Sequence, residues 1–280
     1  MLSYLAEDLR KNDNDRFLAT LLAPHEKREE IFTIYAFNQE LAKVKETTKE
    51  EMIGMIRFQW WREAIEEIYS GKPRKHDVVE RLSTLIKKYN FDKNLFLQAI
   101  DEREKELDKN PFKTEEEFFH YAKISSGNIF RLIAEILGAK NYNKEVLNSL
   151  AQIFVMQGIL RASRFNAANG KIFFPENLLI KHNINVDDFL SGQMNENIHE
   201  VSREITRNAL SELKNFNYLI KKETLQNRKK LLPITVLSRI SEVYLRRVKR
   251  GEYNVFQNDF EGGKPKIHFN ILLASIKGKI

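Results

Sequence analysis

The stretch Ile153–Pro175, IFVMQGILRASRFNAANGKIFFP, decides the fold. Its first half is strongly apolar, which favours a buried helix, and its second half holds an Asn-Gly pair typical of a turn. Ile159, Ala162 and Asn166 stand three or four residues apart, so they share one face of that helix. If the helix is central, this face lines a buried cavity, and its side chains indicate which chemistry the cavity can support.

The composition favours a large helical core. The chain has 280 residues, 42% of them hydrophobic, with only 11 Gly and 6 Pro. Few turn-forming residues and no recurring strand alternation predict an all-α protein. Thr48 and Thr114 each precede a Glu by three residues, the capping-box pattern of a helix start. No low-complexity linker or fixed-period repeat occurs, so residues 1–280 are predicted to form a single domain.

Several function classes are excluded or disfavoured by residue usage. The chain has no cysteine, which excludes disulfides, Cys-ligated zinc and thiol catalysis. Its six histidines lack metal-ligand spacing. No apolar run approaches the ~20 residues of a membrane span, and the N-terminal stretch lacks a signal-peptide core. We expect a cytoplasmic protein, with the surface of the inner membrane as an alternative location.

Positive charge is concentrated near the C-terminus. The net charge of +7 comes from 46 basic and 39 acidic residues. Segments 221–230 and 239–250 are the most basic, and such segments can meet anionic lipid, nucleic acid or an acidic protein. Ordinary solvated helix faces give the same pattern. Since no nucleic-acid-binding motif accompanies the charge, an anionic membrane surface is the partner considered for residues 221–250, and no nucleic acid is expected.

Four motifs resemble the squalene/phytoene synthase family. In chain order they are YAFNQELAKVKE (35–46), IRFQWWREAIEEIY (56–69), YAKISSGNIF (121–130) and ILRASRFNAANGKIFFP (159–175). The resemblance covers about residues 17–247 and leaves 250–280 as a C-terminal extension. It implies an isoprenoid-synthase-type helical bundle around a central cavity. It also implies head-to-head joining of two isoprenoid diphosphates, with Mg²⁺ held by two D-x-x-x-D motifs.

The sequence departs from that pattern at the metal-binding positions. The resemblance aligns Ala42 and Glu46 with the first Asp motif, and Ala162 and Asn166 with the second. Mg²⁺ ions with a diphosphate need several hard oxygen ligands, so one Glu and one neutral Asn are a poor set. We predict loss of the catalytic metal site, with no cofactor and with Glu46 as the weak remaining metal candidate. The alternative is an active farnesyl or geranylgeranyl diphosphate transferase with displaced ligands, which would use Mg²⁺.

A narrower resemblance is to the branch of this family that supports assembly of respiratory complex I. It is carried by the first two motifs, by the run DEREKELD at 101–108, and by a late basic helix followed by YNVF at 253–256. It implies a pseudoenzyme whose partners are complex I assembly proteins. An isoprenoid or lipid-like ligand in the helical cavity is compatible with this role.

Seven residues are candidates for contacting such a ligand. They are Arg161, Arg164, Asn166, Lys171, Tyr121, Asn128 and Trp60. The basic side chains could bind an anion, and Trp60 could line an apolar channel. Each has a structural alternative: Arg161 could pair with an internal Glu such as Glu40 or Glu63, and Asn128 could serve helix packing. Trp60 and Trp61 are adjacent on a helix, so one is expected in the core and the other at an interface.

Overall fold

The computed structural model describes residues 2–47, 50–256, 267, 269 and 271–274, and between residues 2 and 256 the described chain forms fourteen α-helices. The helices are α1 (Tyr4–Asn12), α2 (Asn14–Thr20), α3 (His25–Thr47), α4 (Glu51–Tyr69), α5 (Asp77–Tyr89), α6 (Lys93–Glu104), α7 (Glu115–Ile136), α8 (Lys144–Ala168), α9 (Glu176–Lys181), α10 (Val186–Leu190), α11 (Glu196–Lys222), α12 (Leu225–Lys230), α13 (Leu232–Thr235) and α14 (Leu237–Arg250). Within those ranges no strand occurs. The all-α prediction is therefore confirmed.

The helices belong to two compact units. The first contains Met1–Leu107, Ile124–Tyr142 and Leu225–Ile234, and the second contains the rest of the chain. The single-domain prediction for residues 1–280 stays a prediction. Most of the predicted C-terminal extension, 250–280, lies outside the described residues. The sequence predicts a last helix at 267–276, and the residues described there, 267, 269 and 271–274, are helical.

In the first unit, α3 supplies the centre of the core. Apolar side chains are buried on most sides of this helix, which packs against α1, α4, α5 and α6. Phe37 makes edge-to-face contacts with Trp61 of α4 and Phe96 of α6, both at 5.5 Å between ring centroids. Such aromatic pairs stabilise a core beyond their buried area.

In the second unit, α8 is the buried helix and packs against α11 and α14. α11 is amphipathic and buries apolar residues three or four apart, from Ile198 to Ile220. α8 instead buries residues around most of its circumference. The apolar stretch that begins at Ile153 is therefore a core helix, as its sequence predicts.

Two helix boundaries test the local sequence signals. At α7, Glu117 N donates to Thr114 Oγ1 (3.2 Å) and Lys113 N donates to the Glu117 carboxylate (2.7 Å), a capping arrangement close to the predicted one. Thr48 lies outside the described residues, and α4 begins after Glu50, whose side chain makes no capping hydrogen bond.

The apolar spacing of residues 231–249 predicts a single helix with Pro233 in its first turn, and this prediction is wrong in its first third. The structure has two helices there, α13 and α14, which are separated at Val236. Pro233 has no N–H to donate, and Ser238 Oγ donates to Thr235 O (2.7 Å), so side-chain bonding occupies a carbonyl at the junction.

Candidate functional site

The first pair of positions that the resemblance aligns with an Asp motif lies on the C-terminal half of α3, in the first unit. Ala42 is half-buried and Glu46 is exposed. Between them, Lys43 Nζ donates to Glu40 (3.0 Å) and lies 3.8 Å from the Asp8 carboxylate. Burial is the largest single influence on the pKa of Lys43 and lowers it, but the hydrogen bond to Glu40 and the negative charges of Glu40 and Asp8 together outweigh burial, so the pKa is raised. The lysine is therefore charged and held by carboxylates of its own unit.

A buried ionic cluster joins α3 to residues at the end of α6. Glu106 is only 1% exposed, and its carboxylate pairs with Arg103 (2.5 Å) and with Lys45 of α3. Arg103 also donates to Asn38 Oδ1 of α3 (3.1 Å). A buried carboxylate needs such partners because its desolvation is costly. Lys45 is thus engaged by an internal ion pair beside the motif positions.

The second pair of positions that the resemblance aligns with an Asp motif lies on α8, in the second unit. Ala162 is half-buried and Asn166 is buried. The guanidinium of Arg161 lies 3.9 Å from the ring centroid of Tyr244 on α14, a cation–π contact. Arg164 is exposed. Sequence reasoning missed Tyr244, although its position on the buried face of an amphipathic basic helix was a usable signal.

The loop after α8 is fastened to the turn that precedes α7. Lys171 Nζ donates to Asp108 O (3.0 Å), and Lys171 N donates to Asn166 O (2.9 Å). Tyr121 is buried, with its ring centroid 4.8 Å from that of Phe112. These contacts place both predicted ligand residues, Lys171 and Tyr121, in packing of the second unit.

Asn128 is fully buried on α7, in the first unit. Its amide nitrogen donates to Leu95 O (3.2 Å) and Gln98 Oε1 (3.3 Å) on α6. Its oxygen accepts a bond from Arg131 Nη1 (2.6 Å). These bonds support the packing alternative for Asn128, and its role in ligand binding stays a prediction.

The adjacent tryptophans of α4 face different surroundings. Trp61 is 4% exposed and belongs to the core of the first unit, whereas Trp60 is half-buried. Arg74 lies over the Trp60 ring at 4.9 Å from its centroid, and its guanidinium binds both oxygens of Glu67. His76 contacts both rings, at 5.3 and 5.5 Å between centroids.

Trp60 borders an open groove of about 800 Å³ on the first unit. Eight of its nine lining residues come from α4 and one from α6, and they are Glu51, Met52, Met55, Ile56, Gln59, Trp60, Arg62, Glu63 and Glu104. A smaller cavity of about 270 Å³ also touches Trp60 and is lined by residues of α3 and α4 together with His76. The sequence predicted that Trp60 could line an apolar channel, but it did not indicate the groove.

The described residues hold no group of three or more His, Asp or Glu side chains placed to bind a metal. At the four motif positions the donors are one exposed carboxylate and one buried amide. That set does not fit Mg²⁺ bound to a diphosphate, which takes several hard oxygen ligands. As for membrane spans, none of the described helices is long and apolar enough to cross a bilayer.

Comparison with known proteins places the chain in a family. A family model described as squalene/phytoene synthase matches residues 9–268. The chain is 31% identical over 256 residues to human "NADH dehydrogenase (ubiquinone) complex I, assembly factor 6", covering 90% of this chain and 75% of that protein. It is 22% identical over 194 residues to the 15-cis-phytoene synthase of Synechococcus elongatus, covering 64% and 62% of the two chains.

A solved structure of a dehydrosqualene synthase superposes with a TM-score of 0.81 at 14% identity, covering 98% of this chain and 95% of that one. This likeness shows the fold, which is of the isoprenoid-synthase type. The family match extends over nearly the whole sequence. The chain therefore belongs to the squalene/phytoene synthase family.

Proposed function

We propose that this chain is a non-catalytic member of its family that supports assembly of respiratory complex I. The observation that carries the proposal is the alignment with the human assembly factor, which takes in 90% of the chain. The alignment with the cyanobacterial phytoene synthase is weaker and takes in 64%. Relatedness to assembly factors therefore extends further along the chain than relatedness to this synthase.

The chemistry of the motif positions supports a non-catalytic role. Ionisation of an isoprenoid diphosphate relies on Mg²⁺ to stabilise the departing diphosphate. Ala42 and Ala162 offer no ligand atom, and Glu46 offers the one carboxylate among the four positions. The nearby cations Lys45 and Arg161 are engaged by Glu106 and by the Tyr244 ring. With so few ligand atoms for Mg²⁺, this set of side chains supports the proposal that the protein does not carry out the family reaction.

A complementation experiment tests the assembly role. The chain, fused to a mitochondrial targeting sequence, is expressed in human cells that lack assembly factor 6. We expect recovery of NADH:ubiquinone oxidoreductase activity and of assembled complex I on native gels. The same chain without the targeting sequence is the matched control. Folded protein that reaches the mitochondria and restores neither quantity would refute the assembly role.

A transferase assay tests the loss of catalysis separately. Purified protein is incubated with Mg²⁺ and farnesyl or geranylgeranyl diphosphate, with an active family synthase as positive control. We expect no diphosphate release above the protein-free background. Turnover that Glu46→Ala abolishes, and that Glu116→Ala at an exposed residue of α7 leaves intact, would establish the transferase alternative.

We also propose that the basic face of α14 contacts anionic membrane surfaces. Arg246, Lys249 and Arg250 are exposed there, and basic residues near an anionic surface each contribute about 1 kcal/mol of attraction. Binding to phosphatidylglycerol vesicles should fall at high salt and in Lys249→Glu/Arg250→Glu. Reversal of two exposed lysines elsewhere, Lys72→Glu/Lys87→Glu, is the control. Salt-independent binding would eliminate this contact.

A further inference from the structure

We propose that the groove on α4 docks an amphipathic helix of a partner protein whose apolar face is flanked by Lys or Arg. We call this surface the α4 groove. Its floor is Met52, Met55, Ile56 and Trp60, and its acidic rim is Glu51, Glu63 and Glu104. The inference rests on the proposed function, because an assembly factor works by contact with other proteins.

The floor of the α4 groove is an exposed apolar stripe. Met52, Met55, Ile56 and Trp60 stand three or four residues apart, so they form one line along the helix. The exposed fractions are 72% for Met52, 48% for Met55 and 63% for Ile56. A single exposed apolar side chain is ordinary, but a contiguous row of them marks an interaction surface.

The shape of the groove suits a helix. From Met52 to Trp60 the apolar stripe advances eight residues, or about 12 Å along the helix axis, which is a little over two turns. A helix bound in a groove presents anchors at i, i+3 or i+4, and i+7, which span about 10 Å and so fit within the stripe. Methionine side chains adapt to differently shaped partners because they are unbranched and flexible. Two of the four floor residues are methionines.

The negative charge of the rim indicates which kind of helix can bind in the groove. The lining residues contain three glutamates and one arginine. That arginine, Arg62, binds Asp101 (2.8 Å) and Glu104, so its charge is already matched within the unit. Glu51 and Glu63 are exposed at the groove edge, and Glu63 lies 3.4 Å from Arg74, an arginine that also pairs with Glu67. The carboxylates around the groove therefore outnumber the arginines that pair with them. Complementary charge therefore calls for basic residues beside the apolar face of the incoming helix.

The same charge argues against two other occupants. A second copy of this chain docked through the same surface would bring two acidic rims together, and like charges across an interface are repulsive. An anionic lipid surface would meet the same repulsion. A basic-flanked helix is the occupant for which both the apolar floor and the acidic rim are favourable.

Peptide binding tests the groove directly. The probe is a fluorescein-labelled 18-residue helical peptide with Leu at three- and four-residue spacing and Lys on both flanks, measured by fluorescence anisotropy. We expect Met52→Gln/Ile56→Gln to weaken binding at least about tenfold, since two apolar anchors are lost. Ile180→Gln/Leu225→Gln, at residues that are 68% and 66% exposed elsewhere, is the matched control and should bind normally. All variants are checked for unchanged melting temperature.

A peptide with Glu in place of every Lys tests the rim, and it should bind at least about tenfold more weakly than the Lys peptide. Equal affinity of the wild type and Met52→Gln/Ile56→Gln would overturn the inference. So would equal binding of the two peptides, or a dimer in size-exclusion chromatography that the double substitution dissociates.

The complementation assay separates this inference from the proposed function. In cells that the wild type rescues, Met52→Glu/Ile56→Glu should fail to restore complex I although it accumulates folded. If it rescues fully, the groove inference fails and the assembly role stands. If the wild type itself does not rescue, the assembly role fails, and peptide binding alone decides whether the groove takes a helix.

Discussion

Both faces of α4 carry apolar residues, but the faces differ in what lies opposite them. On one face Phe58, Trp61 and Ile65 are buried against the core of the first unit. On the other, Met52 and Ile56 are exposed to solvent. A helix of a globular protein normally packs its apolar stripe against the core. Among the described residues, the chain covers only the first of these faces, which is why the other is a candidate binding surface.

Trp60 and Trp61 show the same difference between the two faces of α4 at two adjacent residues. Trp61 lies among Phe37 and other core side chains, so its removal would leave a cavity. Trp60 lies at the border of the α4 groove under Arg74. Chemically identical side chains at adjacent positions thus serve packing in one case and a surface in the other.

The largest expected effect is that of removing the buried tryptophan. Trp61→Ala should lower the free energy of unfolding by about 3–5 kcal/mol, because a large core side chain is lost and a cavity remains. Trp60→Ala should cost about 1 kcal/mol, mainly the contact with Arg74. Urea unfolding of both variants measures the difference. Equal costs would show that the two faces are not distinct.

A glycine on the buried face gives the next effect. A Cβ added at Gly54 would lie 2.5 Å from Leu107 Cδ2, so the buried Leu107 side chain would have to move. Gly54→Ala should therefore destabilise the protein by about 1–2 kcal/mol. Gly158 on α8 has no atom within 4 Å of such a Cβ. Gly158→Ala is the matched control and should stabilise by up to about 1 kcal/mol through helix propensity. A stabilised Gly54→Ala would contradict tight packing of this face.

Polar substitution on the exposed face should leave stability almost unchanged. Met55→Gln removes apolar surface that is already 48% exposed, so the change in unfolding free energy should stay within about 0.5 kcal/mol. Ile65→Gln, its counterpart on the buried face, should cost several times more, because a polar group would be buried without a partner. Thermal melting compares the two. A large loss in Met55→Gln would mean that the chain itself covers the groove.

The smallest effect is a pH dependence of the Trp60 environment. Bonding from Arg74 outweighs burial and lowers the pKa of Glu67 below its ordinary value of 4.5. A lowered carboxyl pKa stabilises the folded arrangement above the ordinary value, and that contribution is lost as the pH falls through the folded pKa. In Trp61→Phe, where Trp60 is the one tryptophan left, its emission should change below pH 4.5. Arg74→Gln should remove that transition. A transition unaffected by Arg74→Gln would assign it to another group.

Much of the fold could be predicted from the sequence because helix signals are local. Apolar spacing identified the buried helix α8, and Thr114 marked the start of α7. The prediction of one helix over residues 231–249 was wrong because the helical spacing of apolar residues continues across Val236, where the backbone hydrogen bonding of the helix is interrupted. The family resemblance identified Ala42, Glu46, Ala162 and Asn166, which no periodicity could have singled out.

Partners distant in sequence could not be predicted in the same way. Glu106 pairs with Lys45 across 61 positions, and Arg161 lies on the ring of Tyr244 from a different helix. Several acidic or aromatic residues could have served these cations equally well. The choice depends on how the helices pack, which a single sequence does not state.

By itself, the sequence predicted an all-helical chain and a resemblance to the squalene/phytoene synthase family that aligns alanines with two of its Asp positions. The helix prediction rests on local spacing, and the family rests on the likeness of four motifs. The tertiary structure alone decided which apolar face of α4 is covered and which is open, and which cations are engaged by internal partners. Burial and ion pairing depend on what packs opposite a residue, and helix packing brings those partners from distant parts of the chain.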